Sequence, residues 1–492
     1  MIGIKAFGGY VPRLRLQRGA IFAANGWFAS GLKGLAKGER SMGSWDEDTI
    51  TMAVEAARDC LNARDRAGIG RVTLASTTLP FADRQNSTVV KEALNLTDDV
   101  AAFDVAGSQR AGTSALLDAL HAGVGSGSDI LCVAAERPVS KPGSENEMTH
   151  ADGAGAMLIG KEDVVAAFLG GHSLTVDFVD HFRESGQDFD YGWEARWVRE
   201  EGYGKLIPQA IKAALAKTHL TADNIDRFVI AAPAPAIAAA VAKKAGIKPE
   251  AIADTLAGTM GHTGAAQPLV LLSHALEQAG PNETIMVVGF GGGCDVILLR
   301  TTDAITGVRP RKGVAGYLAE RKPVDNYVQY LAFAGLLDLE KGMRAELDQK
   351  PVLTAMYRER KTVLGLVGGK CRETGTVQFP KTPVSVAHNA RTTYTQDDYP
   401  LAERTARILS YTADALTFTP NPPNYYGGIE FEGGGRMVAE FIDLDERGVE
   451  VGMPVRMVFR IKATDDRRHF TKYFWKAVPD RLAEQNASQD AA

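Results

Sequence analysis

Apolar and polar positions come in alternating blocks along the first 302 residues, where short β-branched runs are followed by longer alanine-rich stretches of helical period. Runs with no polar face at 71–76, 129–135, 227–232 and 283–289 predict strands buried on both sides. The stretches 46–64, 112–122, 203–217 and 267–278 predict helices. Met1-Ile-Gly-Ile-Lys-Ala-Phe-Gly-Gly-Tyr10 reads as a first strand. Buried strands alternating with helices are the pattern of an α/β layered fold. The pattern then changes: 306–323 collects Gly, Pro, Arg and Lys and reads as a linker, placing a domain boundary at 305–320. Amphipathic helical stretches at 327–347 and 351–360 lead into short strands at 363–367, 406–411, 427–432, 436–441 and 455–460, a spacing that predicts a small barrel. The polar end, 482–492, is expected to fray.

Composition narrows the function classes. A chain of 492 residues with 45% apolar residues is long enough for two or three domains with their own cores. Its 55 Lys and Arg against 60 Asp and Glu leave no basic surface for nucleic acid and no polybasic run for a membrane. The most apolar stretch, 228–242, is interrupted by Pro233 and Pro235 and falls short of the roughly 18 apolar residues that a span requires. Cys60, Cys132, Cys294 and Cys371 form no CxxC pair, which argues against a disulfide framework and fits a reducing compartment. With no signal-peptide pattern at the N-terminus, the expected location is cytoplasmic.

Three loops are candidates for chemistry. Phe103-Asp-Val-Ala-Gly-Ser108-Gln109-Arg-Ala-Gly-Thr113 is a small-residue turn between a strand and a helix, a shape that aims side chains and N–H groups into a cleft; it also reads as a tight packing turn. Gly261-His262-Thr-Gly-Ala-Ala266 sets one histidine among small residues, where it serves as base or hydrogen-bond donor, or stays structural. The other histidines, His150 and His181 among them, lack such a loop and read as structural or surface residues. Phe290-Gly291-Gly292-Gly293-Cys294 brings backbone close to a ligand because no Cβ intervenes. It lacks the spacing and βαβ context of a dinucleotide loop, and GxxxxGK[ST], HExxH and GxSxG are absent from the sequence.

In this order the three loops resemble the thiolase superfamily, and the first 300 residues are most similar to the hydroxymethylglutaryl-CoA synthase family. His150-Ala-Asp-Gly-Ala-Gly-Ala156 also resembles that family's Asp-Gly-Ala strand. The resemblance implies two pseudo-equivalent halves, 1–165 and 166–303, in a five-layered αβαβα sandwich, followed by a linker at 304–324. It further implies a homodimer or larger homo-oligomer and a coenzyme A thioester as substrate, with no other cofactor. Aligning Ala111-Gly112-Thr113 with the family's nucleophile loop places Gln109 where the acyl-accepting cysteine stands. Thr78 falls at the general-base glutamate and Ala231 near the histidine. Without a thiolate at 109 the usual acyl-enzyme does not form there. The resemblance then assigns His262 to carbonyl polarisation or proton transfer, and assigns Gln109, Ser108, Thr78 and the backbone of Gly291, Gly292 and Gly293 to the substrate oxygen.

The resulting expectation is non-covalent aldol, Claisen or decarboxylative chemistry on a β-hydroxy- or β-keto-acyl-CoA. Two alternatives stay open: a covalent synthase or acyltransferase using Cys294, and an inactive acyl-CoA-binding scaffold for a partner enzyme. The tail at 325–478 resembles a helical hairpin, zinc ribbon and OB-fold domain associated with thiolase-like enzymes. The ribbon pattern keeps one cysteine, Cys371, of the four that tetrahedral zinc requires, so no metal is expected.

Overall fold

Strand β1 (Gly3–Tyr10) lies inside a nine-stranded mixed sheet in the computed structural model, which describes residues 1–387 and 393–481. The other strands are β2 (Ile69–Ala75), β3 (Ala101–Val105), β4 (Asp129–Glu136), β5 (Gly153–Gly160), β6 (Ala166–Thr175), β7 (Arg227–Ile230), β8 (Thr284–Phe290) and β9 (Gly293–Thr301). Their order across the sheet is β7-β8-β9-β6-β1-β5-β4-β2-β3. Pairing is parallel for β2 with β3 and β4 and for β7 with β8, and antiparallel in the middle. The expected division at 165 falls between β5 and β6, but both halves share the one sheet through β1 and β6.

Helices cover both faces. Neighbouring residues on a strand point to opposite sides. A Cβ on Gly8 would lie 2.3 Å from the Cys60 nitrogen, and one on Gly9 would lie 2.5 Å from Val314 Cγ2. Glycine in β1 therefore lets helix α1 (Thr49–Leu61) settle on one face and the segment around Val314 on the other. Asp48 caps α1 in a reciprocal pair with Thr51, and every residue of α1 is buried, as expected of an inner layer. The remaining helices used below are α2 (Ala111–Gly125), α3 (Ile207–Thr218), α4 (Pro235–Ala245) and α5 (Gln267–Gln278). The result is a thiolase-like α/β sandwich.

The segment 304–324 departs from the expected linker. It carries a helix at Gly313–Ala319 and a strand at Lys322–Val324 that pairs in parallel with Leu14–Gln17. Buried Asp59 fastens it: its carboxylate accepts from the N–H groups of Gly9 at 3.0 Å, Lys312 at 2.7 Å and Gly313 at 3.1 Å. Burial pushes Asp59 up to about 6 against those hydrogen bonds. The expected hairpin helix at 327–347 shrinks to Tyr327–Phe333, whose Tyr330 and Phe333 pack with Leu16, Ile21 and Met42. The chain thus divides later than expected, into Met1–Lys91 with Leu96–Leu337, and Glu92–Asn95 with the residues from Asp338 onward.

The second unit is an OB-fold domain of antiparallel strands. Ala406–Ile408, Thr412–Asp414, Asn424–Phe431, Arg436–Glu440, Pro454–Asp465 and Phe470–Pro479 form its six-stranded sheet. Phe459, Tyr473 and Trp475 fill its core, and Trp475 Nε1 donates to the Leu364 carbonyl at 2.7 Å. The strand expected at 363–367 is instead the end of a short helix (Arg360–Val363), and pairing begins at Val367–Cys371. Cys371 lies 3.2 Å from the Thr395 hydroxyl. Among the described residues no group of three or more His, Cys, Asp or Glu is placed to hold a metal ion, and no helix is long and apolar enough to cross a membrane.

Candidate active site

Two cavities meet at Gln109 in the first unit. The larger, about 690 Å³, is lined by the 106–110 turn, the 175–183 segment, Thr77, Asp190, Gly291 and Gly292. The smaller, about 280 Å³, contains His150, His262, Ala231, Trp193, Tyr203 and Phe290. Gln109, Asp180, His181 and Asp190 line both.

The Gln109 turn is tied down by hydrogen bonds. It connects β3 to α2, so its side chain stands just ahead of a helix N-terminus, a place that favours negative charge. Ser108 Oγ donates to the Gly291 carbonyl at 2.7 Å and accepts from the Arg110 N–H at 3.2 Å, tying this turn to the glycine turn. Arg110 extends to the Asp295 carboxylate at 3.1 Å and the Thr175 hydroxyl at 2.9 Å. Asp295 is 1% exposed and also accepts from Thr113, Ser114 and Ser173 at 3.1, 2.6 and 2.7 Å. Gln109 Nε2 reaches Thr77 Oγ1 at 3.5 Å, while its Oε1 is buried with no hydrogen-bond partner. Turning the amide over exchanges its ends, so a polar atom of Gln109 awaits a partner either way.

Below the glutamine, fully buried Glu136 accepts from the N–H groups of Thr77 at 3.0 Å and Ala265 at 3.3 Å. It links the two loops that flank the amide. Burial raises its pKa, against the hydrogen bonds that hold its charged form.

His262 is held by its backbone and by its ring. Its N–H donates to the Thr149 carbonyl at 2.8 Å, and its carbonyl accepts from Ala151 at 2.9 Å. Nδ1 accepts from the Gly264 N–H at 3.2 Å, which leaves the ring proton on Nε2. Burial, then the neighbouring His181, pushes His262 down to about 4. At neutral pH it is therefore an uncharged N–H donor. His150 pairs by backbone with His262, lies 3.2 Å from the Ser140 hydroxyl, and is pushed down to about 3 by burial.

His181 arrives from a third direction, on a hairpin of His181–Phe182 against Tyr191–Gly192. Arg183 secures this hairpin by pairing with Asp190 at 3.2 Å and donating to the Thr77 carbonyl. His181 Nδ1 lies 3.2 Å from Asp180 Oδ2. Aromatic rings complete the walls: Tyr203 lies 4.8 Å from Phe290 in the smaller cavity, and Phe178 of the larger one is backed by Trp197, stacked on it at 4.2 Å. Tyr203 belongs to a π-helical stretch, Val198–Leu206, that runs into α3.

Several expected positions shift. Thr77, not Thr78, faces the cavity; the Thr78 hydroxyl is engaged by Thr49 at 3.0 Å and by the Arg137 N–H at 3.0 Å. Cys294 lines neither cavity. It is fully buried in the apolar cluster of Ile207, Ile211, Ile230 and Phe290, where burial drives its thiol pKa upward. In the glycine turn, the Gly291 N–H is bonded to the Gly293 carbonyl at 3.0 Å, and a Cβ on Gly293 would lie 2.0 Å from the Leu174 carbonyl. Gly292, at φ +58°, is the one of the three with open space beside it. His150 and His181, expected to be structural or surface residues, both line the smaller cavity.

Known proteins agree with this architecture. Residues 215–298 match the family described as 3-oxoacyl-[acyl-carrier-protein (ACP)] synthase III C terminal, and residues 399–460 match ChsH2, C-terminal OB-fold domain. A crystal structure of HMG-CoA synthase complexed with CoA superposes with a TM-score of 0.60 at 18% identity, covering 71% of this chain and 94% of that one. For the 3-oxoacyl-[acyl-carrier-protein] synthase III of Aquifex aeolicus VF5 the TM-score is 0.54 at 18% identity, over 61% of this chain and 100% of that one. Together these matches define a thiolase-like protein with a ChsH2-type OB-fold domain. The hydroxymethylglutaryl-CoA synthase of Methanocaldococcus jannaschii is 31% identical over 345 residues, 68% of this chain and 98% of the relative. That of Archaeoglobus fulgidus is 32% identical over 344 residues, 67% and 98% respectively. The chain belongs to the hydroxymethylglutaryl-CoA synthase family.

Proposed function

We propose that the chain makes or breaks a carbon–carbon bond next to the carbonyl of a β-hydroxy- or β-keto-acyl-CoA without forming an acyl-enzyme. The observation that carries this reading is the amide of Gln109 where both cavities meet, at the position to which the family resemblance assigns the acyl-accepting cysteine. Aldol and Claisen chemistry runs through an enolate, whose cost is lowered by fixed donors aimed at its oxygen. The Gln109 amide and the open backbone at Gly292 supply such donors, and the Nε2–H of neutral His262 supplies another. A covalent route through Cys294 would require that thiol to leave the apolar core. Coenzyme A enters as part of the substrate, and no other cofactor takes part.

The assembly is a cytoplasmic homodimer built across β3. Among the described residues this strand ends the sheet, pairs with a single neighbouring strand and exposes Phe103, the kind of edge that proteins cover.

Incubating wild type and Gln109→Ala with a panel of acyl-CoA thioesters, and following carbon–carbon products by mass spectrometry, tests the reading. Wild type is expected to form them, and Gln109→Ala to do so about 10²–10³-fold more slowly, the usual loss for one oxyanion donor. Binding of thioesters with no product from any of them would favour the scaffold alternative.

A further inference from the structure

We propose that His181 is a catalytic residue of this site, the base and acid that moves the proton of the reacting carbon, and that Asp180 is its positioning residue. The inference rests on the function proposed above and names the group that function leaves unassigned.

His181 belongs to both cavities, as Gln109 does. Asp180 Oδ2, 3.2 Å from Nδ1, holds the proton of the neutral ring on Nδ1 and leaves Nε2 as the free acceptor. The hairpin carrying it is braced by Arg183 on Asp190 and on the Thr77 carbonyl, beside the partner of the Gln109 amide. The other two histidines serve less well as bases. His262 spends Nδ1 on the Gly264 N–H and His150 places its own against Ser140. Both are held far below neutrality by burial, so each is a weak proton acceptor.

The surroundings of His181 work the other way. Burial lowers its pKa, but the hydrogen bond and charge of Asp180, followed by the charge of Asp190, outweigh burial and raise it, with Arg183 opposing. The remaining charged or titratable groups that share its cavities are His150, His262, Arg199 and Tyr203 on one side, and Arg110 and Asp177 on the other.

The step balances within the site. His181 Nε2 takes a proton from the α-carbon of the thioester: the C–H bond breaks, an N–H bond forms, and the electron pair moves into the thioester as an enolate. The enolate oxygen carries the charge toward the Gln109 amide. Return of the proton from the imidazolium reverses the step, so in heavy water the α-carbon gains deuterium even when no carbon–carbon bond forms.

The test therefore follows deuterium entry into acetyl-CoA and 3-hydroxybutyryl-CoA by mass spectrometry, with calorimetric binding of the same thioesters measured separately. Wild type is expected to catalyse exchange. His181→Gln should lose it by about 10²-fold or more, the scale of a general base, while binding thioester and melting as wild type does. Asp180→Asn should retain part of the rate and shift the acid limb of its pH profile to lower pH, because the ring loses the carboxylate that raises its pKa; a merely structural residue would not move that limb. Exchange by His181→Gln at the wild-type rate, or wild type that binds thioester without exchanging it, overturns the assignment. Failure of wild type to bind any thioester instead overturns the function on which it rests.

Discussion

One methyl group placed at Gly264 tests how closely the site is fitted. Gly264 has φ +50°, and a Cβ there would stand 2.8 Å from both Gln109 Oε1 and Glu136 Cγ. Glu136 is held by the N–H groups of Thr77 and Ala265, so the glutamine amide yields first. Restoring ordinary contact at 3.4 Å displaces that amide by about 0.6 Å. The Gly264 N–H also fixes His262 through Nδ1, so the same strain reaches the histidine. Left-handed backbone costs a non-glycine residue roughly 1–2 kcal/mol, and a misplacement of about 1 Å in a reacting geometry costs on the order of 10²-fold. Gly264→Ala is thus expected to lower kcat/KM by about 10- to 100-fold on whichever thioester is turned over, with a stability loss of roughly 1–3 kcal/mol. Gly246→Ala is the control. It has φ +73° at the end of α4, its Cβ would meet only Ala222 at 3.7 Å, and it should cost similar stability at full activity. Steady-state kinetics beside urea unfolding checks both, and Gly264→Ala within twofold of wild-type kcat/KM would refute the fitted arrangement.

Asp295→Asn should destabilise the first unit by about 2 kcal/mol in denaturant unfolding, because half-buried Arg110 loses its buried counter-charge and an amide N–H faces the hydroxyl donors; a loss below about 0.5 kcal/mol would contradict the network. His150 and His262 have folded values near 3 and 4, below the ordinary histidine value of 6.5, so the unfolded chain binds more protons between those limits. Melting temperature should therefore fall as pH drops from about 6.5 toward 4. His262→Asn should flatten that fall, and a variant whose curve parallels wild type would count against the buried neutral ring. Cys294→Ala removes a buried sulfur and should cost about 1 kcal/mol while leaving turnover intact; abolished turnover would place the thiol in the chemistry.

The fold was readable wherever local pattern and final environment agree. Ile69–Ala75, Asp129–Glu136, Arg227–Ile230 and Thr284–Phe290 lie at the four apolar runs, and Gln267–Gln278 coincides with its predicted helix. The segment after residue 302 misled because its Gly, Pro and Lys composition resembles a loop, whereas its place is set by Asp59, some 250 residues earlier in sequence. Thr77 and Thr78 show how a one-residue step at a strand end exchanges the two faces. Cys294 and Asp295 do the same on β9: Cys294 turns into the core beside α3, and Asp295 turns toward α2. Strand alternation carries that signal, since the apolar Val296 and Leu298 share the face of Cys294. Neither His150 nor His181 sits in a small-residue loop like that of His262, and both reach the site only where the turn after the short helix Glu145–Thr149 and the 176–193 segment meet His262.

The chemistry proposed at Gln109 passes through no acyl-enzyme. Intact-protein mass recorded during turnover, on wild type and on Gln109→Cys, tests it most directly. Wild type is expected to keep its unmodified mass while carbon–carbon products accumulate, and a thiol at 109, ahead of the α2 N-terminus, is expected to capture the acyl group. An acyl adduct on wild type that disappears in Cys294→Ala would place covalent chemistry at Cys294 and overturn the non-covalent route.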